Sequence, residues 1–99
     1  MATLLQLIDA LGDEIVKLPL GKARSQLVQQ QGKLHDLLDE LVQKNVQIDT
    51  PKYKAAIGKL DGANQALAAA HADVQQVAAT IQKIAEVIGV LAEIAAAAP

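Results

Sequence analysis

The sequence predicts an all-α protein on three observations. Apolar residues recur at helical spacing through most of the chain, and strand-type alternation occurs nowhere. Two stretches marked by proline, Leu18-Pro19-Leu20-Gly21 and Asn45-Val46-Gln47-Ile48-Asp49-Thr50-Pro51, interrupt that pattern. The apolar residues are almost all Ala, Leu, Val and Ile, since 52% of the 99 residues are hydrophobic and only 1% aromatic. The expected architecture is an antiparallel helical hairpin, or coiled-coil-like bundle, of three helices at about 2–17, 21–45 and 51–97. The whole chain, 1–99, reads as one domain, because domains typically run to ~100–200 residues.

The first helix carries Leu4, Ile8, Leu11, Ile15 and Leu18 at alternating steps of four and three, the spacing of an a/d seam. Pro19 kinks or breaks this arm, because proline lacks the N–H that a helix interior needs. In the second helix Leu20, Leu27, Leu34 and Leu41 recur every seven residues. Thr50 before Pro51 is an N-cap followed by a first-turn proline, so the third helix starts at Pro51. Its seam is the most regular: Tyr53, Ile57, Leu60, Asn64, Leu67, His71, Val74, Ala78, Ile81, Ala85, Ile88, Ala92 and Ala95. As one helix this segment makes a rod of ~70 Å at 1.5 Å per residue. The other arrangement folds the first helix back at Pro19 into a compact three-helix bundle.

Composition also limits function. With no cysteine there is no disulfide scaffold and no thiol chemistry. The near absence of aromatics disfavours a shaped, aromatic-lined pocket. The net charge of −2 is too mild to draw a polyanion. Lys17, Lys22 and Arg24 near the Pro19 corner, and Lys52, Lys54 and Lys59, form small basic groups without stacking aromatics, so no nucleic-acid partner is expected. Ser25 is the only serine, and no motif places a histidine to activate it. His35, Asp39 and Asp61 are too thin a set for a zinc site. The expectation is therefore a non-enzymatic protein without catalytic residues, metal or cofactor. The Gln29-Gln30-Gln31 run reads as polar helix surface.

The C-terminal third is apolar on more than one face. Val74, Val77, Ile81, Ile84, Val87, Ile88, Leu91 and Ile94 exceed what one neighbouring helix covers, and they are the candidate interface. A symmetry mate, a partner protein or a lipid surface would cover the remainder. Asn64 and His71 occupy seam positions, where a polar residue sets register and oligomeric state. Gly58 and Gly62 form a G-x-x-x-G pair, which suits close helix packing.

In size and outline the chain is similar to small leaderless secreted helical hairpins. Their Trp-x-Gly turn is absent here, where the turn reads Val46-Gln47-Ile48-Asp49. The functional expectation is a protein-interaction module, an adaptor, immunity or chaperone-type protein or assembly component in a bacterial cytoplasm. It would self-associate, most simply as a two-fold dimer, or bind a partner protein through its long C-terminal helix. The alternative is a membrane-active or leaderless secreted hairpin whose apolar C-terminal helix contacts lipid. No signal peptide is expected, because Asp9, Asp13 and Glu14 interrupt the N-terminal apolar run.

Overall fold

Local capping chemistry marks where most of the helices begin. In the computed structural model, which describes residues 3–70 and 73–98, α1 spans Leu4–Ile15. The Thr3 hydroxyl accepts from the Gln6 N–H (3.2 Å) and the Thr3 N–H donates to the Gln6 side chain (2.9 Å), a reciprocal cap. Pro19 then turns the chain, and α2 runs Lys22–Gln43. It ends in a left-handed residue, Asn45 (φ 52°). The Val46 N–H bonds back to the Leu41 carbonyl (3.1 Å) and the Asn45 N–H to that of Val42 (3.1 Å), so the last carbonyls find partners. Helix α3, Pro51–Ala70, starts where the Thr50-Pro51 signal places it, with the Thr50 hydroxyl accepting from the Tyr53 N–H (3.3 Å).

The expected 51–97 rod is not formed. Helix α3 ends at Ala70, and a fourth helix, α4, occupies Val74–Ala97. One Asp73 carboxylate oxygen accepts from the N–H groups of Gln75 (3.0 Å) and Gln76 (3.1 Å), supplying the cap for the new start. The physical reason for the break lies in the buried faces of the two halves. In α3 the buried residues are the seam positions Tyr53, Ile57, Leu60, Asn64 and Leu67 together with a row of alanines beside them, Ala56, Ala63 and Ala70. In α4 it is Val77, Thr80, Ile84, Val87, Leu91 and Ala95, while the seam alanines Ala78, Ala85 and Ala92 are exposed. In α4 Val77, Ile84, Val87 and Leu91 take the core ahead of those three alanines because each removes more apolar area from water. The buried stripe therefore shifts around the helix between the two halves, with the alanine row of α3 in line with Val77, Ile84 and Leu91, and the single seam read through 51–97 does not face the core throughout.

Among the described residues the architecture is four helices rather than three, with no strand. The molecule measures 41 × 21 × 19 Å, well short of a 70 Å rod. Helix α1 folds back at Pro19 and packs on α2 and α3; α4 also packs on α2 and α3. The pairs α1/α4 and α2/α3 lie across the diagonals and are not packed as neighbours. Ion pairs Lys52–Glu93 (2.9 Å) and Lys59–Glu86 (3.8 Å) show that α3 and α4 run antiparallel. Bonds from Gln30 to the Ile81 carbonyl (2.9 Å) and from Lys44 to that of Ala95 (2.7 Å) advance in step, so α2 and α4 run parallel.

Replacing Asp73 by Ala should cost about 1 kcal/mol, the usual value of an N-cap, and lower the thermal midpoint by roughly 4–8 °C. A melt unchanged from wild type would show that the cap adds nothing to the α4 start.

Candidate functional site

The structure turns most of the candidate C-terminal interface inward. Val77, Ile84, Val87 and Leu91 are buried, and Ile81, Ile88 and Ile94 are half-buried against the core. Helices α2 and α3 of the same chain supply the cover. Of the eight residues only Val74 is exposed, at 78%. The excess apolar surface inferred for a continuous rod is largely absorbed once the rod folds.

Asn64 is in the seam, 7% exposed, and its side-chain N–H donates to the Leu7 carbonyl on α1 (2.9 Å). Its Oδ1 is buried without a hydrogen-bond partner. His71, the other candidate register residue, lies outside the described residues. Gly58 and Gly62 are exposed, and a Cβ added at either meets nothing within 4 Å. Within the chain, then, neither admits a close helix neighbour. Gly58→Ala and Gly62→Ala should each stabilise the fold by about 1 kcal/mol, the helix-propensity difference. A fall in either melt would reveal a contact absent from this arrangement. Close approach occurs instead at Gly12, where a Cβ would lie 2.5 Å from the Gln31 amide nitrogen.

That amide donates to the Ile8 carbonyl on α1 (3.1 Å), while Gln30 bonds to α4. Two consecutive glutamines thus tie α2 to both of its neighbours, and this pair is half-buried linkage rather than polar surface. The signal was weak, because glutamine at an interhelical edge looks like glutamine on a surface. Asp61 on α3 is not brought to His35 and Asp39 on α2, since those helices are not packed as neighbours. Among the described residues no group of three or more His, Asp or Glu side chains could hold a metal ion.

Exposed aliphatic side chains gather in two places, where clustering rather than single exposure is informative. The first is the Pro19 corner. Leu20, 88% exposed, shares a surface pocket with Arg24 and Val74, and a second with Val28. Lys17 and Lys22 are exposed beside it.

The second place follows from helix lengths. Helix α1 has 12 residues against 22, 20 and 24 for the others, about 18 Å against 30 Å or more. The Ile8–Gln31 contact sets the antiparallel register, so Leu4, the first residue of α1, lies about level with His35. The last two turns of α2 extend past Leu4, the first residue of α1. A groove remains, lined by Leu5, Leu38, Leu41, Val42, Val46, Ile48 and Tyr53. Val42 and Ile48 are 65% and 68% exposed on its rim. Tyr53, the only aromatic residue, has its pKa raised above 10.0 by loss of water around the phenol. A raised tyrosine pKa means the folded state favours the neutral phenol. Its stabilising contribution is present below pH 10 and is lost as pH rises through the folded value, because the unfolded chain ionises first. An absorbance titration should give a midpoint above 10.0 in native protein and a return to that value in denaturant.

Compared with known protein families, curated proteins and solved structures, the chain matches none. Among the described residues no helix is long and apolar enough to cross a membrane.

Proposed function

We propose that this chain is a non-enzymatic protein-interaction module that makes its contacts at the two ends of the bundle. The observation carrying this reading is the placement of Leu20, Val28 and Val74 at one end and of Val42 and Ile48 at the other. The long faces between them are helical surface with the ion pairs Lys52–Glu93 and Lys59–Glu86. The contacts are placed there rather than on the C-terminal helix, whose aliphatic residues are engaged by α2 and α3. Photo-crosslinking groups introduced at positions 20 and 48, with position 82 on the polar face of α4 as control, test the reading in cells. Protein adducts at 20 and 48 but not at 82 are expected. Adducts at none of the three, or equally at all, would count against it.

A further inference from the structure

We infer that a layer of amide side chains near mid-height, Gln30, Gln31 and Asn64, fixes the register in which the α1–α2 and α3–α4 hairpins mate, and does so at a cost in stability. All three amides stand at one level, and between them they tie the four helices together.

Three bonds place the layer. Gln31 donates to the Ile8 carbonyl (3.1 Å), joining α2 to α1. Gln30 donates to the Ile81 carbonyl (2.9 Å), joining α2 to α4. Asn64 donates to the Leu7 carbonyl (2.9 Å), joining α3 to α1. The ion pairs Lys52–Glu93 and Lys59–Glu86 step in opposite directions along α3 and α4, and continued to Asn64 they arrive at Ile81. Thr80 stands at the same level, buried, with its hydroxyl donating to the Gln76 carbonyl (2.9 Å).

Elsewhere the core repeats itself. Leu27, Leu34 and Leu41 recur every seven residues on α2, and Val77, Ile84 and Leu91 every seven on α4, all buried. The two helices run parallel, so a slide of one heptad, ~10.5 Å, sets each leucine on the same kind of neighbour. One heptad from Gln30 and Gln31 stand Leu37 and Leu38; one heptad from Thr80 stands Val87, and one from Asn64 stands Ile57. Given the helix directions, those four aliphatic residues share the next layer.

The link between the hairpins does not remove this ambiguity. Residues 44–50, seven in all, reach ~24 Å when extended, slack enough for a heptad slide. Backbone carbonyls recur along every helix, so the amide bonds, and the bond from Lys44 to the Ala95 carbonyl, can re-form after it. What does not survive is polar level with polar. A slide one way sets Asn64 and Thr80 level with Leu37 and Leu38; the other way sets Gln30 level with Ile57 and Val87. Gln30 Oε1 and Asn64 Oδ1 are buried without a hydrogen-bond partner. Such an oxygen costs more among aliphatic side chains alone than in a layer with other amides and a hydroxyl, whose dipoles offset part of its lost hydration. The layer thus weakens the native bundle and weakens every slid one more, as a seam asparagine does in a coiled coil.

The chain has no cysteine, so Ser25→Cys and Ala92→Cys, at exposed positions of α2 and α4, take a pair of spin labels whose separation reports the slide. Pulsed dipolar spectroscopy should give one narrow distance. In the double variant Gln30→Leu/Asn64→Leu a second population should appear, displaced by roughly 10 Å, while the thermal midpoint holds or rises. Asn64→Gln, which keeps an amide in the layer, should keep the single distance even where its melt falls. One unshifted distance in the double variant overturns the inference, whatever its melt. A lowered midpoint or loss of folding in the double variant also overturns it, because the amides would then be a source of stability. So do two distances in the labelled chain with its amides intact, or in Asn64→Gln.

Discussion

Replacing Ile84 by aspartate is expected to destroy the cooperative fold at room temperature. Ile84 is 0% exposed and sits on the face that α4 turns into the core. The substitution loses about 2–3 kcal/mol of apolar burial and places a carboxylate where no partner charge exists. Together these reach roughly 5 kcal/mol, comparable with the whole stability of a domain this size. Each kcal/mol moves the midpoint by roughly 4–8 °C, so a melt shifted down by ~20–40 °C, or no transition at all, is expected. Burial raises the pKa of the new carboxyl by disfavouring its charge. The variant should therefore recover stability relative to wild type as pH falls and the group becomes neutral. Ile81→Asp should cost much less, because Ile81 is half-buried and a carboxylate there reaches water. Equal damage at both positions would mean that α4 is covered on more sides than this fold provides.

Asn64 should give effects of opposite sign in two variants. Asn64→Asp removes the donor to the Leu7 carbonyl and leaves a buried charge facing that oxygen. Breaking a buried polar pair this way costs about 3–5 kcal/mol. Asn64→Leu removes the unpartnered Oδ1 as well as the donor. The Leu7 carbonyl keeps its own helical bond, so nothing is stranded, and a gain of about 1 kcal/mol is expected. Thermal melts of the two variants check this directly. Loss of stability in Asn64→Leu would show that the cross-helix bond outweighs the stranded oxygen.

Local chemistry made much of the fold legible. Proline at 19 and the Thr50-Pro51 pair mark helix boundaries through backbone effects that act within a few residues, and the breaks at both places are present. The α1 seam is buried at all five positions, Leu4, Ile8, Leu11, Ile15 and Leu18. In α2 the heptad leucines 27, 34 and 41 are buried, while Leu20 falls on the turn and is exposed. The junction before Asp73 was missed because no proline or glycine marks it and the four–three spacing continues across it. Aspartate before an apolar run is itself a start signal, but alanine-rich periodicity on both sides concealed it. Periodicity also counted Ala78, Ala85 and Ala92 as equal to isoleucine, although they bury little. The two end surfaces were illegible for a different reason. They depend on how far α1 reaches along α2, which is a tertiary register set by Gln31 and Ile8.

The diagonal placement of α2 and α3 bears on how the molecule assembles. Consecutive helices pair within α1–α2 and within α3–α4, but the link at residues 44–50 joins two helices that are not packed as neighbours. The chain is thus two local hairpins tethered across one end, and the contacts uniting them span 51 to 57 residues. Local closure precedes long-range docking because shorter loops lose less entropy. Mating of the two hairpins is then expected to be the slow step in folding. The tether holds the halves at high effective concentration without contributing packing of its own between α2 and α3. Severed near Gln47, the polypeptide becomes a two-fragment complementation system, whose reconstitution depends on concentration where the intact chain's folding does not.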